Sequence, residues 1–175
     1  YKDDLRETLG SARSAEKRAK VNGRDLLVLS VNRRSGEHAL AFCPWEFVPE
    51  VIRLMSVFEG NNEEVEASDR WAYHLRAEAE TLRGLPPEAV RSEIRRLVDR
   101  SDLPTRTCIQ NSFKTKEDEE SSAGCILSAR YDFYCRSLKG RLDSGYHDQK
   151  QDHTLDHYTT LCQSASFLVR GREER

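Results

Sequence analysis

No Cys-x-x-Cys pair occurs in this 175-residue chain, and its five cysteines (Cys43, Cys108, Cys125, Cys135 and Cys162) are widely spaced and odd in number. That excludes the dense, even-numbered framework of a small secreted disulfide domain and points to a reducing compartment, cytoplasmic or nuclear. No run of about 18 apolar residues is present, so no membrane-spanning helix and no membrane partner are expected. Nothing at the start resembles a signal peptide, and no Asn-x-Ser/Thr acceptor appears. The first residue is Tyr1 rather than Met, so the natural start is expected upstream. Net charge is nearly absent as well: 28 basic and 30 acidic residues leave −2. The chain is therefore no polycation, and any affinity for nucleic acid has to come from local segregation of charge. Catalytic signatures are missing too. Gly140 and Gly145 have the separation of a phosphate-binding loop, but Tyr146 and His147 stand where its Lys and Ser/Thr must be.

The chain does hold enough length for a real core, within the usual range of a single domain. Its mean hydropathy is strongly negative, at −0.75. Even so, Leu, Val, Ile and Phe recur at periodic positions, which argues against wholesale disorder. Of the 28 basic residues 21 are Arg and 7 are Lys. Arginine is the better phosphate clamp, since its planar fork donates two parallel hydrogen bonds, although base composition of the gene explains the bias equally simply.

The most informative pattern lies near the start. On a helix over residues 2–24, Arg6, Arg13, Lys17, Lys20 and Arg24 share one face at spacings of seven, four, three and four. Leu5, Leu9, Ala12, Ala15 and Ala19 form an adjoining apolar face. Asp3 and Asp4 suit a helix N-terminus, Gly10 costs the helix about 1 kcal/mol, and Asn22-Gly23 is a stop signal. Leu26 to Val31 reads as a buried strand, Arg33-Arg34-Ser35-Gly36 as a turn, and His38 to Cys43 as the return strand of a hairpin. After Pro44 the period becomes helical. Phe47, Val51, Leu54, Met55 and Phe58 mark one helix, with Pro49 in its first turn. Residues 63–83 form a second, with Val65, Ala72, Leu75, Ala79 and Leu82 as its seam. Pro86-Pro87-Glu88 starts a third through Val90, Ile94, Leu97 and Val98.

Beyond Ser101 the signal weakens. Residues 114–123 read as a mobile polar loop and 171–175 as a frayed tail. The segment Cys125 to Cys135 fits two periods. As a strand it aligns Cys125, Leu127, Ala129, Tyr131, Phe133 and Cys135; as a helix it aligns Leu127, Tyr131, Tyr134 and Leu138, with Ser121 or Ser122 as cap. The crowd of aromatics favours the strand. The expected architecture is one α+β domain over 1–175: an N-terminal helix, a β-hairpin, a central cluster of amphipathic helices, and C-terminal strands. A mainly α fold is the competitor.

Four chemistries compete for function. The basic row spans roughly 27 Å at 1.5 Å per residue, the length scale of a nucleic-acid backbone, and Arg33 and Arg34 extend it if the hairpin tip lies nearby. The bland counterpart is a solvated helix face partly neutralised by Glu7 and Glu16. No helix-turn-helix, zinc-finger or ribonucleoprotein motif supports base reading. Second, His153 and His157 are four apart, and Asp152, Asp156, Cys162, Cys125 or Cys135 could complete a zinc site; the spacings match no standard pattern, and no metal or cofactor is assigned. Third, Cys43 before Pro44-Trp45 is the best thiol nucleophile, against its reading as a small core residue. Fourth, the 63–83 seam with Trp71 and Leu75 is either core or an interface. The leading expectation is a non-enzymatic, homo-oligomeric binding or regulatory protein that contacts RNA or another nucleic acid through phosphates, without base specificity. A protein-interaction adaptor is the alternative, and a metal- or thiol-dependent enzyme comes third.

Overall fold

The computed structural model describes residues 5–22, 24–32, 38–59, 67–113, 121–139, 141 and 153–173. Within them the fold is α+β: an N-terminal helix, a two-stranded antiparallel sheet and a cluster of six further helices. Helix α1 (Leu5–Val21) leads into β1 (Leu26–Asn32), which pairs with β2 (His38–Pro44) in register from Leu26 opposite Pro44 to Asn32 opposite His38. A 3-10 turn at Trp45–Phe47 feeds α2 (Val48–Glu59). Then follow α3 (Arg70–Leu82), α4 (Pro87–Asp99), α5 (Leu103–Phe113), α6 (Ala123–Leu138) and α7 (Thr154–Glu173). No helix among the described residues is long and apolar enough to cross a membrane.

Helices α2 to α4 follow the apolar periods read above. Val51, Leu54 and Phe58 on α2, Ala72, Leu75, Ala79 and Leu82 on α3, and Val90, Ile94 and Val98 on α4 are all buried. Each fully buried Leu, Ile or Val contributes about 1.5–3 kcal/mol. Helix α3 begins at Arg70 rather than at residue 63; residues 60–66, with Val65, lie outside the described residues. Gly84, at φ +81°, turns the chain after α3, a conformation that suits a residue without Cβ. Pro87 then occupies the first turn of α4, where its missing N–H costs nothing.

No C-terminal strand occurs among the described residues, where Cys125 to Cys135 is helical. Ser122 caps α6 by accepting from the Cys125 N–H. Leu127, Tyr131, Tyr134 and Leu138 are buried while Ala129, central to the strand alternative, is exposed. Burial at a 3.6-residue period overrode the β preference of the aromatics. Tyr134 donates to the Phe42 carbonyl at 2.6 Å and Tyr158 to that of Leu127 at 3.1 Å, so each buried hydroxyl is satisfied. Ala123, placed in the 114–123 loop by sequence, is the first residue of α6, and residues 114–120 lie outside the described residues. Likewise 171–173 belong to α7, and 174–175 lie outside.

Helix α7 organises the molecule by packing on α2, α3, α6 and β2. Every residue from Tyr158 to Ser166 is buried, including Thr159, Thr160, Gln163, Ser164 and Ser166. These polar groups find partners inside: Ser164 donates to the Thr160 carbonyl, Ser166 to Asp69, and Arg76 to Thr160 and Gln163. A second internal tie joins three helices. Buried Glu50 on α2 takes Arg53 at 2.8 Å and Arg130 of α6 at 3.3 Å, and the Arg130 guanidinium lies 5.7 Å from the Phe113 ring centre of α5.

Candidate functional site

Helix α1 is the outermost element, packed on β1. Its less exposed positions are Ser11, Ala15, Arg18, Ala19 and Asn22, separated by three, four or one residues, which makes a single docked face. Asn32 of β1 donates to Ser11 at 3.0 Å, and Asn22 donates to the Arg18 carbonyl. At about 100° per residue, Arg6, Arg13, Lys17 and Lys20 fall roughly half a turn away, and all four are exposed. The docked face is thus rotated from the one expected: Leu5 and Leu9 are 70 % and 47 % exposed rather than packed. Glu16 pairs with Lys20 at 2.6 Å, and its carboxyl is held below the ordinary carboxylate value, first by that hydrogen bond and then by the charges of Lys20 and Arg13. The helix stops at Val21, so Arg24 is not on the helical row. It is exposed after the helix at φ +66°, with its N–H donating to the Ala19 carbonyl. A non-glycine residue in that region costs about 1–2 kcal/mol. The helical part of the row therefore runs from Arg6 to Lys20, about 21 Å at 1.5 Å per residue. Arg33 and Arg34 lie outside the described residues.

Behind α1 is a cavity of about 520 Å³ walled by four elements. Helix α1 supplies Arg18 and Asn22, β2 supplies His38, Ala39, Leu40 and Phe42, and α3 with its terminus supplies Arg76 and Arg83. The start of α7 adds His153, Asp156, His157 and Thr160. His153 and His157 do face the same way, as their spacing predicts, and the His157 N–H donates to the His153 carbonyl at the helix start. Asp156 accepts from Arg83 at 3.0 Å and lies 3.1 Å from His153 Nδ1. Arg76 is aimed by Thr160 Oγ1 at 3.1 Å and Gln163 Oε1 at 3.0 Å. The His157 ring stands edge-on to Phe42 at 4.8 Å, with Nδ1 3.4 Å from the Leu40 carbonyl. Arg18, His38, Arg76 and Arg83 carry no local signal in the sequence. They converge only because α1, β2, α3 and α7 meet there.

The remaining candidates divide. No group of three His, Cys, Asp or Glu that could hold a metal is gathered among the described residues, and Asp152 lies outside them. Cys162 is fully buried, and desolvation pushes its thiol up to about 12. Cys43 is likewise fully buried between β2 and the helices, and burial pushes its thiol up to about 12, which leaves no thiolate at neutral pH. Trp71 and Leu75 are 2 % and 0 % exposed, so the interface assigned to them is the chain's own core, where the period-3.6 seam meets α7. Gly140 and residues 142–152, with Gly145, Tyr146 and His147, lie outside the described residues. Compared with protein-family models, curated proteins and solved structures, the chain matches none of them.

Proposed function

We propose that this protein is a non-enzymatic binding or regulatory protein that contacts RNA or another nucleic acid through phosphate groups, without reading bases. One observation carries the reading: Arg6, Arg13, Lys17 and Lys20 are exposed on the face of α1 opposite the one that docks on β1. A helix held from behind presents its cations without losing its anchor. Arg24 adds to this, because an arginine kept at φ +66° tolerates strain that glycine would relieve. Each phosphate neutralised releases counterions, so affinity for a duplex falls with a log–log salt slope of roughly −0.9 per contact. Three to five contacts give a slope of roughly −3 to −4.5.

The test is binding to short double-stranded RNA across a salt series, followed by size exclusion with light scattering. Arg13→Glu, Lys17→Glu and Lys20→Glu together should abolish binding and leave the helical spectrum intact. Affinity indifferent to salt and to these three changes would remove the basis of the proposal. A second reading, self-association or capture of a protein partner, is favoured by the exposure of Leu5 and Leu9 beside the row. It predicts a mass above that of one chain without RNA, lost on Leu5→Ser with Leu9→Ser. Self-association also multiplies a weak row into a continuous surface by avidity.

A further inference from the structure

We infer that the outer edge of β1 is a docking site for an extended segment of a partner protein, which adds to the hairpin as a third strand. The site is separate from the exposed row on α1, and the inference goes beyond the nucleic-acid reading. The register fixes which backbone groups face outward. Leu26 stands opposite Pro44, which has no N–H, so that pair is of the type that exchanges no hydrogen bonds. The ladder alternates, and therefore Val28 opposite Phe42, Ser30 opposite Leu40 and Asn32 opposite His38 are of the same type. Their N–H and C=O groups point away from the facing strand. On β2 those outward carbonyls are met: Tyr134 donates to that of Phe42 at 2.6 Å, and His157 Nδ1 lies 3.4 Å from that of Leu40. On β1 the outward groups of Val28 and Ser30 have no such partner among the described residues, where the sheet has two strands only.

The edge is open to approach. Helix α1 lies on a face of β1, where Ser11 accepts from the side chain of Asn32, and Ser30 stays exposed. Neither a charge nor a proline interrupts Leu26–Asn32, and these are the devices that ordinarily guard an edge strand. The occupant follows from size and chemistry. A strand of seven residues is roughly 23 Å long, and with a sheet about 10 Å thick its edge offers on the order of 230 Å². A stable contact between two folded copies needs about 800 Å² from each. One extended segment needs less, because main-chain hydrogen bonds supply its affinity. Its side chains alternate to match β1: apolar beside half-buried Leu27, Leu29 and Val31 on one face, small or polar beside Val28, Ser30 and Asn32 on the other.

The probe is a blocked peptide of alternating valine and threonine with a lysine at each end, and the control is the same peptide N-methylated at alternate amides. Amide hydrogen exchange followed by NMR reads the edge. In the free protein the N–H groups of Val28 and Ser30 should exchange faster than those of Leu27, Leu29 and Val31, which face β2. Saturating peptide should slow exchange at Val28 and Ser30 about tenfold or more, and the methylated control should leave it unchanged. Ser30→Pro removes an N–H that points outward and spares the ladder to β2. The variant should keep the parent's stability and weaken peptide binding about tenfold or more. The methylated control needs no variant and decides the matter should Ser30→Pro fail to fold. The triple Glu variant of the α1 row should bind the peptide as the parent does. Four results would each overturn the inference: protection of Val28 and Ser30 in the free protein, no saturable binding, equal binding of the methylated control, or a mass of two chains that Ser30→Pro returns to one.

Discussion

Adding one methyl group at residue 124 tests the packing of α6 on α4, where a glycine lies against the backbone of the facing helix. A Cβ built at Gly124 would stand 2.7 Å from the Arg95 carbonyl oxygen and 2.8 Å from Arg95 Cα, both backbone atoms of α4. Ordinary contact begins near 3.4 Å, so the helices must separate by about 0.7 Å at this point. Overpacking of this kind costs about 1–3 kcal/mol. The same shift loosens the hydrogen bond from the Gly124 N–H to Asp99, 2.8 Å long, which is worth about 1.5 kcal/mol because its acceptor is charged. Gaining alanine in a first helical turn returns less than about 1 kcal/mol. Gly124→Ala is therefore expected to destabilise by about 2–3 kcal/mol and to lower Tm by about 5–10 °C, at about 2–4 °C per kcal/mol for a chain of this size. Gly10 provides the opposite sign. Nothing lies within 4 Å of its added Cβ, and it sits mid-helix in α1, so Gly10→Ala should stabilise by about 1 kcal/mol. Gly84→Ala has open space but φ +81°, and should cost about 1–2 kcal/mol through the backbone alone. Urea and thermal unfolding followed at 222 nm report all three. A Gly124→Ala protein as stable as the parent would refute the close crossing.

Three further outcomes follow from the interior. Of the five thiols, only half-buried Cys125 and Cys135 should react with a disulfide reagent at pH 8 before unfolding, because Cys43, Cys108 and Cys162 are buried and burial raises each of those thiols. The Cys43 and Cys162 values rise from 9.0 to about 12, so the unfolded chain ionises first. Stability is complete below about pH 9 and falls by roughly 1.4 kcal/mol per pH unit for each thiol towards pH 12, and an alkaline unfolding curve flat across that window would contradict it. Tyr134→Phe removes the 2.6 Å bond to the Phe42 carbonyl and should cost about 1–3 kcal/mol in urea unfolding. Leu75→Ala empties a fully buried site and should cost about 2–5 kcal/mol in denaturant unfolding; a variant as stable as the parent would return residue 75 to the surface.

The elements legible in the sequence are those with one wet face. Helices α2, α3 and α4 show it, because solvent on one side leaves polar residues at a helical period, whereas the hairpin is legible from short apolar runs bounded by turn residues. The middle of helix α7 has no such face. With Tyr158 to Ser166 buried all round and five of those residues polar, its sequence carries no period for a reader to find. Helix α6 failed for another reason: Leu127 and Tyr131 fit both periods, and only the packing of Tyr134 and Leu138 against β2 and its neighbours separates them.

The basic row on α1 belongs to the sequence, since residues three, four and seven apart share a helix face whatever surrounds them. Which way that face points is a tertiary decision. The sheet beneath α1 took Ser11, Ala15 and Asn22, and so turned the cations outward and left Leu5 and Leu9 in solvent. The cavity belongs wholly to the tertiary structure. Arg76 and Arg83 are seven apart on one helix, but Arg18, His38 and His157 are far from them along the chain and no local rule relates these to the pair. They line one cavity because α7 sits at the centre, with β2 and α3 packed on it and α1 beside its first turns.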